Sequence, residues 1–503
     1  MTARSLAGAP VLIIGTGIMG AGIAQVAVQA GHPVLLYDAK EGAALEAKNK
    51  LGQTFNMLVE KGKLTADKAG DMLGKLTAIS ALSEASAAGL AVEAIVENLD
   101  VKRGLFKQLE SIVADDCVLA TNTSSISVTA IANGLKHPER LVGMHFFNPV
   151  PLMKLVEVVS GLQTDKAVAE AIFELSKSWG KTPVYARSTP GFIVNRIARP
   201  FYAETLALLY EQAVTPAVAD ACLRAAGFRM GPCELMDLIG HDTNFSVTRS
   251  VYEANFYDKR YVPSLVQGEL VDGGLLGRKS GQGFYDYREG ALKPAISEYA
   301  AAAMPPAQDI TVMGQGRVAN LLAQRLTALH INFTQLEDTE WVGLDIDGAQ
   351  LRLTDGHTAT QLGKQVAVFD LPLGEAQGYT LAWAISGRAT AAWQEKAKQC
   401  LQALGFNHQQ VADTPGLIVA RTIAMLINEA ADAVQQNVCT PDGADAAMKL
   451  GVNYPAGPFE WFAQWDTHSV VNLLNLLDHY YRGERYRVSP WLRKQQWLAG
   501  DVE

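Results

Sequence analysis

The chain predicts an α/β protein: a doubly wound domain followed by an all-α helical domain, with a degenerate α/β segment and a second helical domain after them. Three observations lead there. Up to about Ser188, short apolar runs alternate with longer helical patterns, the texture of a parallel sheet covered by helices. From Thr189 the strand patterning gives way to apolar residues at helical spacing. TPGFIVNR at Thr189 then returns as TPGLIVAR at Thr414, which marks an internal repeat.

The strands expected in the first domain (residues 1–188) are 11–15 (VLIIG), 33–38 (PVLLYD), 91–97 (AVEAIVE), 117–121 (CVLAT) and 140–146 (RLVGMHF). A helical domain covers 189–290, and the Ala/Pro-rich stretch 291–309 reads as a linker. Residues 310–410 open with a strand, a G-x-G turn, a helix and a strand ending in acid. They read as a shrunken copy of the first domain in which few of the later strands are expected. The second helical domain, 411–503, repeats Glu204 as Glu429, Thr215-Pro216 as Thr440-Pro441, and GPCEL at Gly231 as GPFEW at Gly457.

At 503 residues, 49% hydrophobic and 19% charged, the chain has material for several packed cores and little room for disorder. A formal charge of -9 excludes general attraction to nucleic acid, which needs a dense cationic surface. The five cysteines are scattered and form no C-x-x-C pair, so reduced thiols in a cytoplasm are expected and neither a disulfide frame nor a metal site. Met1 to Pro10 lacks the apolar core of a signal peptide, and no run reaches the roughly 18 apolar residues of a spanning helix, so no membrane segment is expected.

GTGIMG places Gly15, Gly17 and Gly20, around Ile18 and Met19, directly after an apolar strand and before a helical pattern. This is the Rossmann-type fingerprint: a tight turn, a close approach for a pyrophosphate, and close helix-to-strand packing, with free N–H groups at the helix start. Asp38 closes the second strand, where a carboxylate accepts hydrogen bonds from ribose hydroxyls and repels a 2′-phosphate, so the expected cofactor is NAD. At Gly314 few of the expected later strands follow, so no second cofactor is expected; Ala319 in place of the third glycine is a change the fingerprint tolerates and decides little alone.

NTSS (122–125) and HFFNP (145–149) each follow a strand, at the sheet edge where open α/β folds bind ligands. Alcohol oxidation needs a base, and His145 is the candidate. Glu157, twelve residues on in the apolar strand KLVEVVS, could support the imidazolium. The same spacing also fits a satisfied, half-buried histidine and a glutamate on the solvent face of an edge strand.

GTGIMG, EAIVENLDVKRGLF, NTSSISV, GMHFFNPVPLMKLVEVV and GFIVNR, in this order and at compatible spacing, resemble the 3-hydroxyacyl-CoA dehydrogenase family. The match runs from Val11 to about Tyr287, and the second helical copy extends it. The resemblance implies NAD-dependent oxidation of a 3-hydroxyacyl-CoA to the 3-oxoacyl-CoA, with His145 as base and Glu157 as its electrostatic partner. Ser124 and Asn195 would hydrogen-bond the substrate oxygens, and Asn148 would shape the pocket. Gly15, Gly17, Ile18, Met19, Gly20 and Asp38 would hold the cofactor, with Glu97, Lys102 and Asn122 near its nicotinamide ribose and diphosphate.

With the tandem helical arrangement and length taken into account, the resemblance implies 3-hydroxyadipyl-CoA of phenylacetate degradation as the substrate. 3-Hydroxybutyryl-CoA is the alternative, and a non-catalytic NAD-binding structural protein is the reading from another class. Shorter relatives pair helical domains between subunits. Here the second copy, with Ala420 where the first has Asn195, would supply that partner within one chain, a homodimer being the other option. Lys48, Lys50, Lys61 and Lys63 fall where the family binds the CoA nucleotide, but a solvated helix face explains them equally. Arg199, Arg229, His241 and Arg249 are open candidates for a distal carboxylate.

Overall fold

The computed structural model describes residues 6–500 except Lys293 and Ala301; the reading of Met1–Ser5 as free of a signal core lies outside them. The described chain forms two compact units. One joins the chain up to Arg196 with Gln436–Val452, and the other joins Ile197–Gln435 with the chain from Asn453 on.

The first unit is built on an eight-stranded sheet: β1 (Val11–Ile14), β2 (Val34–Tyr37), β3 (Leu76–Ala78), β4 (Leu90–Glu93), β5 (Val118–Thr121), β6 (Leu141–Phe146), β7 (Leu155–Ser160) and β8 (Thr182–Arg187). Their order is β3-β2-β1-β4-β5-β6-β7-β8. Strands β1, β4, β5 and β6 are buried along their whole length, because helices cover both faces, and so they read as continuous apolar runs. The sheet is not wholly parallel. β7 runs antiparallel to β6, with His145 opposite Glu157, since the connection from Phe146 to Leu155 is shorter than the dozen or so residues a parallel crossover needs. The helix Pro441–Val452 packs against β7 and β8.

The second unit begins with helices, Arg199–Tyr210, Pro216–Ala225, Pro232–Ile239 and His241–Ala254 among them. It then builds its own sheet: β9 (Ile310–Met313), β10 (Thr334–Leu336), β11 (Gly343–Ile346), β12 (Ala349–Leu353), β13 (Val366–Phe369), β14 (Tyr379–Ile385) and β15 (Phe406–Gln410). The order is β10-β9-β11-β12-β13-β14-β15. Seven strands correct the expectation of few. The signal passed over was Asp347-Gly348, both at positive φ (53° and 81°), the two-residue turn that closes the β11–β12 hairpin. The helix Val419–Gln435 follows, almost wholly buried. Within the stretch expected as a linker, Ser297 and Tyr299 contact the second sheet: Gln409 Nε2 donates to Ser297 O at 2.7 Å, and Tyr299 stacks on His408 with centroids 4.1 Å apart.

Candidate active site

The turn after β1 is shaped by glycines for a stated reason. Gly15 has φ +91°, and a Cβ there would lie 2.5 Å from Ala94 O; a Cβ on Gly20 would lie 1.8 Å from Gly15 O. The helix Ile18–Gln29 therefore starts hard against β1, and at its Gly17 N-cap no side chain caps the first N–H groups. A Cβ on Gly17 would meet nothing within 4 Å, so the backbone there is open to a diphosphate.

Asp38 Oδ2 accepts Thr16 N at 2.7 Å and Thr16 Oγ1 at 2.9 Å, while Oδ1 accepts Lys40 N at 2.9 Å. Burial works to raise this carboxyl, but the backbone bonds from Thr16 and Lys40 outweigh it and hold Asp38 below the usual carboxylate range. Gly17, Ile18, Asp38 and Asn148 all line one cavity of about 520 Å³. Met19, by contrast, leans on the hydrophobic core. An uncapped helix start, an open Gly17 and an anionic Asp38 on one cavity fit a dinucleotide.

The chemical groups gather at the ends of β5, β6 and β7. His145 is 4% exposed, and its Nδ1 lies 2.5 Å from Glu157 Oε2. Phe147 and Phe192 flank the imidazole at 4.5 and 5.8 Å between centroids. Glu157 is fully buried on an interior strand, which overturns the solvent-facing edge alternative. Its Oε1 accepts the N–H groups of Ile193 and Val194 at 2.9 and 3.0 Å, tying GFIVNR to the same carboxylate that meets the histidine. Asn195 Nδ2 donates to Ser124 O at 3.2 Å, so these two predicted residues meet. Asn122 Oδ1 accepts Phe146 N at 2.9 Å and joins the ends of β5 and β6.

Glu97 holds the NTSS loop in shape, its Oε1 taking Thr123 Oγ1 at 2.5 Å and Ser124 N at 2.9 Å. Burial works to raise the Glu97 carboxyl, yet the Lys102 ammonium and these hydrogen bonds hold it low. Lys102 is 1% exposed, with Nζ 2.5 Å from Glu93 and 3.1 Å from Glu97. It sits as a brace behind Glu97. Sequence reasoning missed Glu93, which also accepts Thr121 Oγ1 at 2.7 Å. Its signal was an acid within the apolar run AVEAIVE, the same kind that singled out Glu157. Also missed was Lys181, whose Nζ donates to the carbonyls of Val150 and Met153 and so secures one wall of the cofactor cavity.

Known proteins resemble this chain. The sequence profile "3-hydroxyacyl-CoA dehydrogenase, NAD binding domain" matches residues 10–189, and "3-hydroxyacyl-CoA dehydrogenase, C-terminal domain" matches 191–287 and again 416–496. The chain belongs to the 3-hydroxyacyl-CoA dehydrogenase family. It is an NAD-dependent oxidoreductase of that family. "3-Hydroxybutyryl-CoA dehydrogenase reduced Rossmann-fold domain" matches 351–415. The dehydrogenase is 44% identical to the 3-hydroxyadipyl-CoA dehydrogenase of Escherichia coli K12, over 98% of each chain. It is 40% identical to the pig mitochondrial hydroxyacyl-coenzyme A dehydrogenase, over 55% of this chain and 91% of that one. Among solved structures, a 3-hydroxybutyryl-CoA dehydrogenase from Escherichia coli K12 matches with TM-score 0.88 at 43% identity, covering 98% of this chain and 99% of that one.

Proposed function

We propose that His145 is the general base of this dehydrogenase, acting at Nε2. The observation that carries this is the 2.5 Å contact between His145 Nδ1 and the fully buried Glu157. With Nδ1 engaged, Nε2 is left to take the hydroxyl proton, and the imidazolium that forms has its counter-charge in place. NAD, when bound, accepts a hydride from the carbon bearing that hydroxyl. Ser124 and Asn195 hold the substrate oxygens, and the flanking Phe147 and Phe192 exclude water from the imidazole. Gly17, Asp38 and Glu97 would hold the cofactor, with Lys102 bracing Glu97.

The substrate we infer is 3-hydroxyadipyl-CoA, in phenylacetate degradation, as the name of the Escherichia coli relative that spans nearly the whole chain supports. The name of the structural neighbour keeps 3-hydroxybutyryl-CoA as a second reading. Turnover over Michaelis constant on 3-hydroxybutyryl-CoA, 3-hydroxyhexanoyl-CoA and 3-hydroxyadipyl-CoA separates them, and a preference for the C4 substrate would sink the first. Cofactor binding with no turnover on any of them would favour the structural protein. Five free cysteines support a cytoplasmic setting. Among the described residues no helix is long and apolar enough to cross a membrane.

The second helical segment would act as an in-chain partner, and reciprocal packing supports this. Thr215-Pro216 opens the helix that packs on β14 of the second sheet, while Thr440-Pro441 opens the one on β7 and β8 of the first. Arg187 N donates to Val438 O at 2.9 Å, and Ala412 N to Ala213 O at 3.0 Å, the same bond with the two copies exchanged. A chain ending near Ala303 that stayed monomeric and fully active would count against the role.

A further inference from the structure

Between β6 and β7 the chain turns through residues 148–154, and this turn forms one wall of the cofactor cavity: Asn148, Pro149, Val150 and Pro151 line it together with Gly17, Asp38 and Lys40. The turn sits hard on the helix Ile18–Gln29, where a Cβ on Gly22 would lie 2.8 Å from the Val150 Cβ. Behind it is Lys181, 8% exposed, whose Nζ donates to Val150 O and, at 2.8 Å, to Met153 O. The N–H of the next residue, Thr182, donates to Lys154 O at 2.8 Å, so the start of β8 and the ammonium hold the turn together.

The fold does not require an ammonium at this place. Counted back from the TPG motif in each copy, Gly180-Lys181 corresponds to Gly405-Phe406; both glycines have positive φ (71° and 78°), and Phe406 is as buried as Lys181. A phenylalanine closes this helix-to-strand turn as well as a lysine does, and the lysine stands in the copy with the full glycine fingerprint. Its charge is kept at a cost. Burial pulls the Lys181 pKa down from 10.5 to about 8, and the Lys154 ammonium on the same turn adds to the effect. The helix Ile18–Gln29 brings no charged side chain toward it.

The lining of the cavity offers an anion no surplus of positive charge. Its two lysines, Lys40 and Lys50, are matched by Asp38 and Glu46 on the same lining, with Lys50 pairing to Glu46 at 2.6 Å. We propose that Lys181 is a positioning residue for the cofactor: behind the wall that it holds, its ammonium supplies the positive charge that offsets the diphosphate of the bound dinucleotide. The charge acts across Val150 without touching the cofactor, and a buried charge is screened far less than an exposed one. The inference rests on the reading of this cavity as the cofactor site.

The sign of the pH dependence separates this role from a merely structural one. With its value lowered in the folded state, the fold itself favours the neutral amine, so stability from this group rises with pH between about 8 and 10.5. A wall that mattered only for its shape would bind the cofactor as well or better as pH climbs. A wall that contributes charge binds it less well once the ammonium is lost.

Fluorescence titration with NADH, in the absence of substrate, from about pH 7 to about pH 9.5 tests this. Wild-type affinity should fall by roughly 3- to 10-fold over that range, the worth of one partly screened charge. Lys181→Met should bind NADH more weakly by a similar factor at neutral pH and lose no more as pH rises. Lys181→Arg, charged throughout, should bind it equally well at both ends of the range. A wild-type affinity that stays flat or rises would overturn the proposal, as would wild-type affinity at neutral pH in Lys181→Met or a slope that persists in Lys181→Arg. Asp38→Ala tests the cavity separately: it should weaken NADH binding at every pH, and wild-type affinity in that variant would overturn the cavity as the cofactor site.

Discussion

Glu157 and Asp370 meet the same stretch of chain in the two copies of the TPG motif. Glu157 accepts the N–H groups of Ile193 and Val194, and Asp370 those of Ile418, Val419 and Ala420, at 2.7 to 3.0 Å. Among the described residues only the first also meets a histidine. In the first sheet the antiparallel pair sets His145 opposite Glu157, whereas the antiparallel pair β13–β14 sets Phe369 opposite Trp383 and Val368 opposite Ala384. A buried carboxylate at this helix start is thus explained by capping alone. What the proposed chemistry adds to the first copy is the imidazole on the other oxygen of that carboxylate, with Asn195 rather than Ala420 two residues past the capped N–H of Ile193. Both copies keep the cap, and the proposed chemistry belongs to the first.

The contrast can be broken at its strongest point first. His145→Gln should lower turnover by roughly a hundredfold to ten-thousandfold, the usual worth of a general base, while fluorescence titration finds NADH affinity little changed. Near-normal turnover would remove the base from the scheme. Glu157→Gln keeps an acceptor for the helix N–H groups but loses the charge facing His145, so kcat should fall by roughly 10- to 100-fold. If Asp370→Asn lowered kcat equally, the division of labour drawn above would be wrong.

Asp370 has its own signature. Burial pushes its carboxyl up to about 6 from 3.8, against the hydrogen bonds from Ala420 and Val419. A value raised in the folded state gives stability that is present below the unfolded value and is lost as pH rises through the folded one. Denaturant unfolding of the wild type should therefore weaken between pH 4 and pH 6 relative to Asp370→Asn, by up to about 3 kcal/mol at roughly 1.4 kcal/mol per pKa unit. Equal slopes would contradict it. The smallest effect is expected from Ala420→Asn. With no histidine opposite Asp370, restoring the amide should leave turnover and a stoichiometry of one NADH per chain unchanged in calorimetric titration; two NADH per chain would show a second working crevice.

Local chemistry was the legible part of this molecule. The strands of the nucleotide-binding half are continuous apolar runs punctuated by glycine, so periodicity alone outlines them. Glu157 stood out because an acid inside LVEVV must have a partner. The same rule applied to AVEAIVE points to Glu93, but Glu97 and Lys102 drew attention first, and that Glu93 braces Lys102 depends on a contact nine residues apart, across a loop. In the second sheet β9 and β10 were legible as the strands on either side of the G-x-G turn and its helix, while the later ones escaped because they are short, β11 and β13 running to 4 residues each. Pairing made by tertiary contact, such as β13 with β14 or Tyr299 on His408, has no local pattern to read.

The exchange of the two TP helices bears on how this chain is made. β7 and β8 leave the ribosome long before the helix Pro441–Val452 that packs on them, so the first sheet waits, unfinished at that edge, until the whole of Ile197–Gln435 has been synthesised. Through that interval Gly451, whose Cα lies so close to Leu155 and Val194 that a Cβ would come within 2.7 and 3.0 Å of them, is not yet in place. Completion of the NAD-binding half therefore follows synthesis of a segment that belongs to the other unit.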